Sequence, residues 1–327
     1  MSRSATAEEL DLTAVTRRLV HLPRPPAEPG SGSGTAGERF VLAAGLPCGP
    51  SLFRDASGGH DTQLFTEIVR QLGLSLGHRY FGVPAERACL FVRMGWSVPD
   101  PAVWRAGAAG GRPRMSMDIG AVPTKVVGGV PRGLRLTGAL DIDGAPGCAG
   151  SAELVFLPPA VARTHRATSR LAAVSAGGPR PDGAGAVRPS AAPGAVGRAE
   201  AADVVVSVPE GRGEVTTTAI VVDPGHPVFF LDGTDSVPGL LLVEAVRQTA
   251  LLAAGRRHGF APAETALTGL AVHFRGFAEL DLPLSCTAVT GPVGRDGAGR
   301  PCATVRLTVS QLGKVTAEAE ITAARAA

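Results

Sequence analysis

The chain has 327 residues, 44% hydrophobic and 19% charged, which is apolar material enough for two ordinary domains. A net charge of +3 without a basic helix or basic-aromatic stripe excludes a nucleic-acid reader, and no apolar run reaches membrane-span length without a charge or a proline. The 5 cysteines are scattered, with no Cys-x-x-Cys pair, so neither a disulfide framework nor a metal site is expected. The polar start Met-Ser-Arg-Ser-Ala-Thr-Ala-Glu-Glu is no secretory signal, and a cytoplasmic protein is expected.

Residues 1–36 join an amphipathic stretch at 10–20 to Leu22-Pro-Arg-Pro-Pro and Gly30-Ser-Gly-Ser-Gly-Thr, and read as a partly flexible N-terminal segment. Residues 37–160 read as a first domain. It opens with a strand from Arg39, followed by a long helix with Asp61 and Thr62 as cap candidates and Leu64, Phe65, Ile68, Val69, Leu72 and Leu76 at helical spacing. Strand-like runs follow at 88–98, 114–119, 134–142 and 150–157. One strand, one helix and a run of strands exclude a doubly wound parallel sheet and fit an antiparallel sheet wrapped around a helix, an α+β arrangement. Residues 161–200 are rich in Ala, Gly and Pro and read as a flexible linker.

Residues 201–327 read as a second domain. Strands are expected at 203–208 and 214–223, then a helix at 239–254 too apolar all round for a surface helix. Pro238 is placed in its first turn, and Asp235 or Ser236 can cap it. Three strands, at 271–275, 301–309 and 314–321, are expected to close the chain, the last two as a hairpin around Gln311-Leu-Gly313.

Glu-x-x-Arg-Gln occurs twice, as Glu67-Arg70-Gln71 and Glu244-Arg247-Gln248, and the offset marks a duplicated domain rather than a solenoid repeat. A carboxylate inside a buried helix is costly unless something pairs or uses it. Glu244 and Glu67 are therefore candidate general bases, against a plain ion pair with the Arg at i+3. Arg247 and Arg70 are suited to holding a phosphate or orienting the carboxylate. Gln248 and Gln71 can donate to an acyl carbonyl or pack between the halves. The Val237-Pro-Gly239 turn places backbone N–H groups at a helix start, an oxyanion site if a substrate carbonyl lies there. His60 is the best-placed imidazole for acid–base work, against a surface cap. His226 and His21 read as structural, Lys125 as an exposed lysine, and Asp141-Ile-Asp-Gly as a turn.

Pro227-Val-Phe-Phe and Val237-Pro-Gly-Leu-Leu-Leu-Val-Glu-Ala-Val-Arg-Gln resemble the central-helix signature of hotdog-fold acyl-thioester enzymes. With Leu19-Val-His21, His60-Asp61, Val196-Gly-Arg, Asp203-Val-Val and Phe274-x-x-Phe-Ala-Glu-Leu-Asp, the resemblance narrows to the A-factor biosynthesis (AfsA-type) hotdog family, the γ-butyrolactone synthases. It implies a tandem double hotdog: two long central helices, each wrapped by an antiparallel sheet, packed as an intramolecular pseudo-dimer. The implied chemistry moves a β-ketoacyl group from acyl carrier protein to dihydroxyacetone phosphate or a similar hydroxyl acceptor, on the way to a γ-butyrolactone or butenolide signal, without a cofactor. A monomeric pseudo-dimer or a homodimer is expected. The family pattern Asp-His-x-x-Asp-His before the second helix reads Leu231-Asp-Gly-Thr-Asp-Ser236 here, lacking both histidines. The alternatives are another hotdog acyl-thioester enzyme, a dehydratase or thioesterase, and a non-catalytic acyl- or lactone-binding module.

Overall fold

The computed structural model describes residues 19–22, 37–46, 51–56, 58–105, 113–177, 188–230 and 235–326. Most of the amphipathic stretch at 10–20, the Gly/Ser run at 30–35, linker residues 178–187 and residues 231–234 lie outside the described residues.

The first half supplies strands β1 (Leu19–Leu22), β2 (Glu38–Gly45), β3 (Ala88–Ser97), β4 (Arg114–Thr124), β5 (Gly133–Ile142) and β6 (Ala145–Leu157). The second supplies β7 (Val215–Ile220), β8 (Thr265–Phe274), β9 (Leu284–Arg295), β10 (Pro301–Gln311) and β11 (Lys314–Arg325). All pair antiparallel in one sheet of order β1-β2-β4-β5-β6-β3-β8-β11-β10-β9-β7. The halves join at β3 and β8, with Trp96 opposite Leu270 and Arg93 opposite His273. Alternation sets the faces: Ala303, Val305, Leu307 and Val309 of β10 all point inward.

Helix α1 (Gln63–Ser75) continues as one π turn through Tyr80. It lies so close to β6 that a methyl at Gly73 would sit 2.7 Å from Leu154 Cδ2. Helix α3 (Gly239–His258) is buried from Leu240 to Ala254 and packs on strands β7 to β11. It ends at Gly259, whose φ of 66° lets its N–H reach the Gly255 carbonyl. Each half thus wraps a sheet around one long helix, the α+β double-hotdog arrangement.

Four expectations need correction. Pro238 stands just before α3 rather than in its first turn, and no side chain caps that end. Residues 201–203 form a 3-10 turn, and Val206 makes only an isolated bridge to Ile220, so 203–208 is not a strand. A closing strand was missed: β9 carries Gly291 and Pro292, which lie near its end, beyond the stretch that faces β7. The expected linker contains helix α2 (Pro159–Ala176), tied to the second half by Arg166 on Glu279 (2.8 Å) and Arg170 on Asp281 (2.6 Å).

Candidate active site

The two long helices meet at their starts. Gln63 Nε2 donates to the Leu240 carbonyl across 3.3 Å, and these residues are 177 apart, the repeat offset itself. The contact therefore marks the local pseudo-twofold axis. Around it each helix start faces the side of its partner: Arg247 pairs with Asp61 just before α1, and Thr66 and Arg70 line the cavity that also takes in the start of α3. A cavity lies at each start.

The cavity at the α1 start measures about 190 Å³ and is lined by His60, Asp61, Thr62, Trp104, Arg105 and Arg247. Beneath it lies a closed ionic network. Arg198 clamps Glu244 bidentately, Nε to Oε1 at 2.8 Å and Nη2 to Oε2 at 2.6 Å, and also donates to Asp61 Oδ2 at 3.2 Å. Arg247 donates to the same Asp61 oxygen at 2.7 Å and lies 3.4 Å from Glu244 Oε1. Gln248 Nε2 donates to Glu244 Oε1 and to the Asp203 carbonyl, and its Oε1 accepts the Val205 N–H. Two guanidiniums thus balance two carboxylates, which is what permits four charges inside the core. Burial alone would raise the Asp61 carboxyl, but Arg247, Arg198 and the Gln63 amide hold it below the usual carboxylate range.

His60 sits on the wall of this cavity. Burial first, then the nearby Arg54, push its pKa down against the opposing pull of Asp55, so the ring is neutral at neutral pH. His226 takes the structural place expected of it. Its Nδ1 accepts the Val228 and Phe229 N–H groups, which leaves the proton on Nε2, 3.4 Å from Asp203 Oδ1.

The cavity at the α3 start is far larger, about 980 Å³. Thr66, Arg70, Leu74 and His78 line it at intervals of four, so it runs as a trough along one face of α1 for about 18 Å. Leu90, Phe91, Val228, Phe229, Leu242 and Phe274 make its apolar walls, and Pro238, Gly239 and Leu240 form its end at the helix start. Glu67 is buried behind Arg70, off the lining: Arg70 binds it bidentately at 2.7 and 2.8 Å, and Gln71 donates to it at 2.9 Å. Cys89 is on the wall, but burial pushes its thiol up to about 12, so it is no thiolate nucleophile at neutral pH.

The expected residues therefore fall into two symmetry-related groups. Gly239 and Arg70 line the large cavity, with Glu67 and Gln71 packed behind Arg70. His60 and Arg247 line the small one, and Glu244 and Gln248 lie beneath it without exposed surface. Arg198 was missed. It stands at the end of the presumed linker, where composition masks it, and the one signal was Val196-Gly197-Arg198, an apolar residue and a turn glycine before a lone cation. Among the described residues no group of acidic, His and Cys side chains is placed to hold a metal, and no helix is long and apolar enough to cross a membrane.

Residues 185–326 match the family model of the A-factor biosynthesis hotdog domain. A 2-oxo-3-(phosphooxy)propyl 3-oxoalkanoate synthase of Streptomyces virginiae is 31% identical, over 81% of this chain and 83% of the relative. The protein of the same name from Streptomyces coelicolor is 28% identical over 96% of this chain and 94% of its own length. The crystal structure of an oleoyl thioesterase from Lactobacillus plantarum superposes with a TM-score of 0.52 at 9% identity, covering 89% of this chain and 98% of that one, a likeness of fold alone.

Proposed function

The chain belongs to the A-factor biosynthesis hotdog family, and from that membership we propose that it esterifies dihydroxyacetone phosphate, or a similar hydroxyl acceptor, with a β-ketoacyl group carried as an acyl carrier protein thioester. The relatives' name describes such an ester, a 3-oxoalkanoate of a phosphorylated hydroxyketone. The ester is the precursor of a γ-butyrolactone- or butenolide-type signal. The observation that carries the reading is the trough of about 980 Å³, apolar along its walls, with a helix start at one end and a guanidinium on its flank.

The thioester carbonyl rests against the backbone N–H groups at Gly239 and Leu240, where the helix start favours negative charge. The acceptor hydroxyl attacks the carbonyl carbon, the C–O bond forms, and the C–S bond breaks. The hydroxyl proton passes to the Glu67 carboxylate and on to the departing thiolate. Arg70, one turn from Thr66, holds the acceptor phosphate and keeps Glu67 oriented. Glu244, Arg247 and Gln248 form the matching set of the other half. There Arg198 encloses the carboxylate, so their role is to brace the two helices.

A second reading puts proton transfer in the small cavity, favoured by a neutral His60 beside Arg247. The two separate on variants. Loss of turnover by about a hundredfold or more in Glu67→Gln, with His60→Ala near wild type, supports the trough. The reverse pattern moves the chemistry to the small cavity.

A further inference from the structure

The far end of the trough is not explained by ester formation. Thr66 marks the reaction end, near the Gln63–Leu240 contact, and His78 and Arg87 line the opposite end. Three arginines face the cavity. Arg70 is bound by Glu67, and Arg275 is bound by Glu318 at 2.7 Å. Arg87 is half-buried, and among the described residues its guanidinium has no hydrogen-bond or ion-pair partner. The neighbouring Glu86 side chain is exposed and does not pair with it. His78 Nδ1 donates to the Val83 carbonyl at 2.9 Å, so its other nitrogen is left for the cavity. An arginine that keeps all five donors uncommitted on a cavity wall is suited to an oxyanion ligand, above all a phosphate.

Length identifies which phosphate. The acceptor is a three-carbon compound, and its phosphate cannot reach about 18 Å from the helix start. In the prosthetic arm of a carrier protein, 13 bonds separate the sulfur from the phosphorus, and at roughly 1.2 Å per bond the extended arm spans about 16 Å. We infer that the trough is the channel for the carrier's pantetheine arm and that Arg87 binds the phosphate at its end. The inference rests on the thioester site proposed above at the α3 start and adds to it the direction of the arm.

The test is calorimetric binding of 4′-phosphopantetheine and of pantetheine to the full chain, which needs no turnover and stays readable if the esterification reading fails. The wild type is expected to bind the phosphorylated compound about ten- to a hundredfold more tightly. Arg87→Gln should remove that preference, Arg87→Lys should keep part of it, and the melting temperature of both should stay near wild type. Equal affinity of the wild type for the two compounds overturns the assignment, and so does an equal loss for both in Arg87→Gln. Steady-state kinetics separate the phosphate sources. Arg87→Gln should raise KM for a phosphopantetheine-linked donor and leave an N-acetylcysteamine thioester donor unchanged. A rise in KM for dihydroxyacetone phosphate instead would make Arg87 an acceptor residue and refute the arm.

Discussion

At the scale of single residues, the core is organised by a charge that composition hides. Arg198 has almost no exposed surface and binds a carboxylate from each half, Glu244 and Asp61. Removing one partner of such a network leaves an uncompensated buried charge, whereas removing an opposite pair does not. Arg198→Met should therefore cost about 3–5 kcal/mol in urea unfolding. Arg198→Met with Glu244→Leu should recover most of that loss, because Arg247 and Asp61 still pair; a double variant as weak as the sum of its singles would contradict the network. His60 gives a pH signature. Its folded pKa lies below 6.5, so the unfolded chain takes up the proton first as pH falls. The His60 contribution is fully present above pH 6.5 and is lost on acidification through the window beneath that value. Melting temperatures from pH 7.5 to 5 should show this slope, and His60→Gln should flatten it. A slope unchanged by the substitution would mean that His60 titrates alike in both states.

At the scale of elements, close approach of backbone segments sets the spacing of β3 and β6. Gly150 of β6 faces the Gly95 carbonyl and Trp96 of β3 so closely that an added methyl overlaps the backbone itself. Gly150→Ala should cost about 1–3 kcal/mol by forcing β3 and β6 apart, and an unaltered unfolding midpoint would refute that contact. The same elements show what was legible beforehand. Helix α3 was plain because it is apolar on every side, and α1 because its apolar residues keep one face. The β10–β11 hairpin was marked by its Leu312-Gly313 turn. Helix α2 was not legible, since Thr164, His165, Thr168 and Ser169 give it no apolar stripe, and it is held by Glu279 and Asp281 more than a hundred residues away. The doubled Glu-x-x-Arg-Gln marked the two long helices that meet, but sequence could not tell that one copy lies behind the Arg70 flank of a trough and the other is sealed by an arginine from the presumed linker.

At the scale of the whole molecule, the two halves share one sheet and one ionic core. Separating them would expose the edges of β3 and β8 and strip Arg198 and Arg247 of Asp61. Residues 1–187 and 188–327, produced apart and mixed, should sediment as a one-to-one complex; stable, folded monomers of each half would contradict the shared core. The pseudo-dimer then leaves one large cavity and one small one where a symmetric pair would leave two alike. The proposed function places the acyl group in the large cavity, at the α3 start, in a single productive site. It is tested most directly by mass spectrometry of the purified protein incubated with a β-ketoacyl thioester, with and without dihydroxyacetone phosphate. The expected result is a new phosphorylated ester that requires both compounds, disappears with Glu67→Gln and persists with His60→Ala. Thioester consumption that ignores the phosphate compound, or none at all with carrier-linked donors, would contradict it.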